Sequence, residues 1–245
     1  AAMLGRIGEP ARGAVAVLIE VLDRAQLAKP SDSAHGQSQT SDDTSYWAMK
    51  SLGLFGNVAG DAVPVVSRVL TSPASPSKLR VLAADALGQI RTAASIDVLT
   101  TELMKPRRFS DYESIILRQT IIDSLALAGP LAAGAIPALA RVLEDDNADV
   151  RRKACETMGA LGPRAEGGMV SLFERLVLDE DAAVKDAAAN ALAQVGQSAV
   201  AMLVDLLERG GPDLQWRAAR AISQMGTAAK SVIPQLKQAF GNSSM

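Results

Sequence analysis

A short phrase recurs down this 245-residue chain: a β-branched or Leu residue, a basic residue, small residues, then a close on Leu-Gly-x-Ile/Val-Gly. Its clearest copies run from Val150-Arg151 to Leu161-Gly162 and from Val184-Lys185 to Val195-Gly196. Others run from Leu117-Arg118 to Leu127-Ala128-Gly129 and from Leu79-Arg80 to Leu87-Gly88-Gln89-Ile90, with further copies at Thr44 to Gly56 and Leu214 to Gly226. The first eight residues, ending in Arg6-Ile7-Gly8, are the back half of one more. A unit that returns every roughly 30–48 residues cannot bury its apolar face alone and must stack on its neighbours. The expected fold is therefore all-α, an α-α solenoid (superhelix) of about six and a half helical hairpins.

Each phrase reads as an amphipathic helix, A, with apolar residues spaced three and four apart; Val150, Ala154, Met158 and Leu161 share one face. Asp43, Ser77, Asp149 and Asp213 precede A helices and are placed to accept from free N–H groups at the helix start. The closing Gly56, Gly129, Gly162, Gly196 and Gly226 stand where a left-handed residue ends a helix cheaply. Arg91 replaces that glycine once, so its turn is expected to be the least regular. A second helix, B, follows each turn, and Pro64, Pro137 and Pro234 suit its first turn, where a missing N–H costs nothing. Leu139 and Leu143 mark its buried ridge, matched by Leu18/Leu22, Val66/Leu70, Leu99/Leu103, Leu172/Leu176, Leu203/Leu207 and Leu236/Phe240.

The phrase from Val150 to Gly162, the Gly134-Ala135-Ile136-Pro137-Ala138-Leu139 continuation and the repeat length resemble HEAT repeats. They look most like the bacterial subtype of phycobilisome-lyase-like proteins. The resemblance covers nearly the whole chain and implies one armadillo-like superhelix over 1–245. Its repeats fall at approximately 1–27, 43–72, 77–105, 112–145, 149–179, 182–210 and 213–241, with a polar insertion at 28–42. In such repeats the basic residue after the first apolar position, here Arg80, Arg118, Arg151 and Lys185, pairs with carboxylates between neighbouring repeats. Asp146, Asp149, Asp179 and Asp181 are the acceptors at hand.

Composition narrows the chemistry. With 48% hydrophobic but only 3% aromatic residues, the core must be built from Ala, Leu, Val and Ile. A formal net charge of −2 gives no general attraction to nucleic acid, which is not an expected partner. No apolar run of about 20 residues is read, so no membrane insertion is expected. One cysteine, Cys155, excludes an intramolecular disulfide, and one histidine, His35, removes most zinc and iron ligand sets. No metal and no cofactor are therefore expected. Cys155 reads as a small core residue of helix A, and Trp216 as a cover on the outside of the last repeat.

A start in mid-phrase without Met points to a piece of a larger protein, with Met3, Leu4 and Ile7 docking on an upstream segment of the same chain. A processed secretory start is the alternative; the expected compartment is the cytoplasm, with secretion or the periplasm left open. Two stretches break the repetition. Residues 28–43 are polar, turn-rich and expected to be a mobile loop, with His35 solvated and Tyr46 and Trp47 packed at its end. The loop of Lys105, Arg107, Arg108, Phe109 and Tyr112 is a candidate grip for a phosphate backbone or an acidic partner segment, or a solvated connector with its aromatics tucked under.

On the concave side, lined by B helices, the 100° helical step turns Ala138 and Arg141 away from the Leu139/Leu143 ridge. The column through Arg141 contains Glu20, Arg68, Thr101, Glu174 and Asp205; the column through Ala138 contains Val17, Val65, Val98, Ser171 and Met202. An apolar strip bordered by mixed charge is the composition of a protein or peptide groove. The function read here is a non-catalytic protein- or peptide-binding scaffold. The alternatives are a bilin-lyase-like protein that handles a chromophore, implied by the family resemblance, and a nucleic-acid-binding HEAT-like module, which Glu20, Glu174 and Asp205 argue against. The chain has no Ser-His-Asp set, no phosphate-binding Gly loop and no His-Glu pair of the kind HEAT di-iron hydroxylases use.

Overall fold

The computed structural model describes residues 9–27, 37–105 and 111–232. Among them are twelve α-helices and no strand. They form two compact units, 1–131 and 132–245.

The first unit contains α1 (Glu9–Leu27), α2 (Gln37–Phe55), α3 (Val63–Thr71), α4 (Ser77–Ile90), α5 (Ala93–Leu103) and α6 (Tyr112–Ala128). The A helices α2, α4 and α6 pack side by side, and the B helices α1, α3 and α5 form the second layer, with α3 against α4 and α5 against α6. The second unit contains α7 (Ile136–Val142), α8 (Ala148–Ala160), α9 (Met169–Leu178), α10 (Ala182–Val195), α11 (Val200–Arg209) and α12 (Pro212–Gln224). There α8, α10 and α12 are the A layer, and α9 and α11 pack on the A helices that follow them. The architecture is the α-α solenoid expected from the repeat.

Periodicity explains the core. Val150, Ala154, Met158 and Leu161 are all buried, as are Leu22, Val66, Leu70, Leu99, Leu103, Leu139, Leu143, Leu172, Leu176, Leu203 and Leu207. Each fully buried Leu contributes about 1.5–3 kcal/mol relative to exposure. Leu18 is only half-buried, and Leu236 and Phe240 lie outside the described residues.

Every closing glycine has positive φ: 60° at Gly56, 56° at Gly129, 60° at Gly162, 90° at Gly196 and 54° at Gly226. Each opens or directly precedes a 3-10 turn, and the first four of these turns lead into the next helix. Arg91 adopts the same left-handed conformation at φ 49°. Its turn is indeed the exception: no 3-10 segment follows, and Thr92 starts α5 at once through a capping box with Ser95 (3.1 and 3.0 Å).

Three expectations need correction. The polar segment to Asp43 is not loop throughout, because α2 already begins at Gln37; residues 28–36, with His35, lie outside the described residues. The caps also differ. Asp111, Asn147 and Asp181 accept from the starts of α6, α8 and α10, while Asp149 and Asp213 sit inside the first turn and pair with Arg152 and Arg217. Ser77 caps nothing and donates instead to Glu113. Finally, Tyr112–Val142 is long and apolar enough by composition to cross a membrane. It is two helices, interrupted where Gly129 turns the chain.

Candidate interaction surfaces

The basic residue that recurs in the phrase becomes a staple at Arg80 and Arg151. Arg151 of α8 holds Asp179 through two bonds of 2.8 Å and donates to the Asp145 carbonyl at 2.7 Å and the Asp146 carbonyl at 3.2 Å. Asp179 ends α9, so a cation joins the carbonyl-rich end of the preceding B helix to the carboxylate after its own B helix. Arg80 repeats this: Nε donates to the Leu70 carbonyl at 2.9 Å and Nη2 to Glu102 at 3.3 Å. The inter-repeat bond is therefore made to backbone, and the carboxylate comes from the same repeat. Asp149 and Asp181 are not acceptors for this row, being used by Arg152 and by the α10 cap. These arginines are framework.

Asp179 is buried, which by itself pushes its carboxyl up. The Arg151 hydrogen bonds, the Asp181 N–H and the nearby charges of Arg151 and Arg175 outweigh burial and hold it below the usual carboxylate value. Cys155 sits in the same core, and burial pushes its thiol up to about 12. A thiol so placed is a small core residue rather than a nucleophile.

On the B helices the charged column stands where expected. Glu20, Arg68 and Thr101 are exposed in the first unit, and Arg141, Glu174 and Asp205 in the second. Several are already engaged: Glu20 with Arg24 and Arg68 with Asp23 at 2.5 Å, Asp205 with Arg209 at 3.1 Å. The apolar column does not form an open strip. Val17 is 59% exposed, but Val65 is 1% exposed and Ala138 is 2%. Val98, Ser171 and Met202 are half-buried. The reason is angular: from α3 onward, residues three before the charged column turn toward the neighbouring helix, whereas those four before it stay on the open side. The open companions are therefore Pro64, Asp97, Pro137, Val170 and Ala201. Val170 at 59% and Leu178 at 68% flank Glu174 on α9 and were missed by assuming the wrong neighbour column.

Of the basic loop, Lys105 is exposed and paired with Glu102, and Tyr112 is 75% exposed rather than tucked under. Arg107, Arg108 and Phe109 lie outside the described residues, as do Met3, Leu4 and Ile7 and the polar end from Gln235.

The A helices carry aromatic residues in the open. Tyr46 and Trp47 meet edge to face at 5.3 Å, and the Lys50 ammonium lies 5.5 Å from the Trp47 ring. Trp47 is 61% exposed, so it covers little. Trp216 is likewise open, with Arg217 and Arg220 over its ring at 5.7 and 5.4 Å. A cleft of about 620 Å³ lies on the A face of the first unit, lined among others by Tyr46, Val81, Leu82 and Leu127.

Left-handed helix ends and stapled two-layer hairpins define an α-helical repeat protein. Residues 135–165 match the family model of the HEAT repeat and residues 169–244 that of HEAT repeats, so these two stretches are HEAT repeats. No curated protein matches it. Similar solved structures include an engineered protein, 22% identical over 85% of this chain and 97% of that one, with a TM-score of 0.49. Another is the complex of CpcE and CpcF of phycocyanin lyase from Nostoc sp. PCC7120, 20% identical over 81% of this chain and 80% of that one, TM-score 0.47. A third is human deoxyhypusine hydroxylase in complex with glycerol, 15% identical over 87% and 96%, TM-score 0.39.

Proposed function

We propose that this protein is a non-catalytic scaffold that binds another protein or an extended peptide on its B-helix face. The observation that carries the reading is the exposure of large apolar side chains beside the charged column: Val17 beside Glu20, and Val170 and Leu178 on either side of Glu174. Apolar side chains left open within a register of mixed charge are suited to a partner that supplies both apolar contact and counter-charge. Because the core is stapled independently by Arg80 and Arg151, this face is open to charge without loss of the fold.

The test is affinity capture from lysate, comparing the protein with a variant carrying Arg68→Glu, Arg141→Glu, Val170→Asp and Leu178→Asp, with circular dichroism to check folding. A protein retained by the parent and lost by the variant supports the reading. Equal capture by both removes the B face from consideration. A coloured eluate with visible absorbance would favour the chromophore-handling alternative.

A further inference from the structure

The B helices share one register, so the positions beyond their buried ridges can be compared. The two residues after the ridge are Asp23-Arg24 on α1, Thr71-Ser72 on α3, Met104-Lys105 on α5, Glu144-Asp145 on α7 and Glu208-Arg209 on α11. Each of these pairs holds a polar or charged residue, whereas on α9 the pair is Val177-Leu178. One turn earlier, Phe173 of α9 stands where α3, α5 and α7 have Ser67, Thr100 and Ala140. Helices α1 and α11 carry Ile19 and Val204 there, but their last pair is charged.

With Val170, these residues give α9 a second apolar stripe at i, i+3, i+7 and i+8, on the side away from the buried Leu172 and Leu176. Val170 is 59% exposed and Leu178 68%, with Phe173 and Val177 half-buried between them. A helix that is apolar on both sides is one that is covered on both sides. Packing on α10 and on the turn before α9 covers only one.

Glu174 stands exposed at the midpoint of the stripe, four residues from Val170 and four from Leu178. Glu180, Asp205 and Glu208 are exposed as well. The cations of these helices are engaged: Arg175 lies 3.6 Å from Asp179, Arg209 lies 3.1 Å from Asp205, and Arg141 of α7 also has a partner. Arg164 stands exposed in the turn before α9.

The stripe runs along one helix for about 12 Å, at 1.5 Å per residue, so another helix lying along α9 matches it. An extended chain crossing the B helices would meet it at a single point. A second copy of this chain does not match it either. Two-fold pairing of α9 with itself, whichever way the helices run, sets Glu174 against Glu174.

We infer that α9 is the seat of an amphipathic helix of a partner protein, one that sets aliphatic or aromatic residues on Val170, Phe173, Val177 and Leu178 and a Lys or Arg against Glu174. This seat rests on the reading of the B face as the binding face and names the kind of segment that face takes. Apolar anchors at helical spacing supply contact, and the central carboxylate fixes the register by selecting a basic residue.

The experiment selects a phage-displayed library of amphipathic helical peptides on the full chain and titrates a labelled synthetic copy of the enriched sequence by fluorescence anisotropy. Leu, Ile or Phe at helical spacing with Lys or Arg between them is the expected enrichment. Affinity should fall about ten-fold or more in Glu174→Lys and return when the basic residue of the peptide is changed to Glu. The Val170→Ser, Leu178→Ser double variant should weaken binding as well. All three substitutions alter exposed side chains, so circular dichroism should not change. Trp47→Ser, on an A helix, should bind as the parent does. No enrichment over an unrelated protein, enrichment of acidic peptides, or binding that either α9 variant leaves intact overturns the inference. If affinity falls only in an Arg68→Glu, Arg141→Glu variant, the B-face reading stands and the seat on α9 does not; if it falls only in Trp47→Ser, both fail. Concentration-dependent dimerisation in sedimentation, abolished by the double variant, would also overturn it, naming a second copy as the occupant.

Discussion

Asp179 is where a single side chain does most for this fold. It is 3% exposed, takes two bonds from Arg151 and lies 3.6 Å from Arg175. Removing one partner of a buried pair strands the other, so Asp179→Ala is expected to cost about 3 kcal/mol in urea unfolding. The sign of the pH dependence follows from its lowered pKa. The contribution is present in full above 3.8, the ordinary value, and is lost as pH falls through the lower folded value. The stability gap between parent and Asp179→Asn should accordingly close in acid and be constant near neutrality. Cys155 offers a second check. With its thiol pushed up to about 12 by burial, it should react with a disulfide reagent only after denaturant unfolds the second unit. Fast labelling of the native protein would contradict the buried assignment.

At the level of the element, two glycine positions in one phrase have different jobs. The closing glycine supplies positive φ, and Arg91 adopts φ 49° without that freedom. Arg91→Gly should raise the melting midpoint, a gain of about 1 kcal/mol, because a side chain in the left-handed region is disfavoured by roughly that amount. The earlier glycine supplies closeness. At Gly53, Gly88 and Gly159 an added Cβ would meet the next A helix at 2.8, 2.4 and 3.1 Å. Gly88→Ala should destabilise by about 1–3 kcal/mol, more than Gly159→Ala, where the neighbouring Ala191 backbone is further off. The first job was legible in the text, since glycine after an apolar helix end is a local signal. The second was not, because only the packed neighbour shows which glycine faces a backbone.

Within each unit, the two helix layers present separate surfaces. Charge reversal at Arg68 and Arg141 alters exposed side chains only, so melting should move by no more than about 0.5 kcal/mol while partner capture is lost. By contrast Val65→Asp would place an unpaired charge at a site 1% exposed, and the expected outcome is loss of the folded first unit by circular dichroism rather than a clean binding defect.

Sequence alone was enough for the helical hairpin, its repeat, the buried Leu ridges and the left-handed glycines, because each rests on interactions within a turn or two of the same chain segment. It also placed Arg68, Arg141 and Glu174 on an open face, since the helical step from a known core position requires only one angle. Tertiary structure decided the rest. Which side of that face meets a neighbouring helix, burying Val65 and leaving Val170 open, depends on how B helices lie against one another. That Arg151 joins a backbone carbonyl to Asp179, and that Tyr46, Leu82 and Leu127 gather at one cleft, depends on residues distant in sequence becoming neighbours. A helical period records which face of a helix is apolar, but not what stands opposite it.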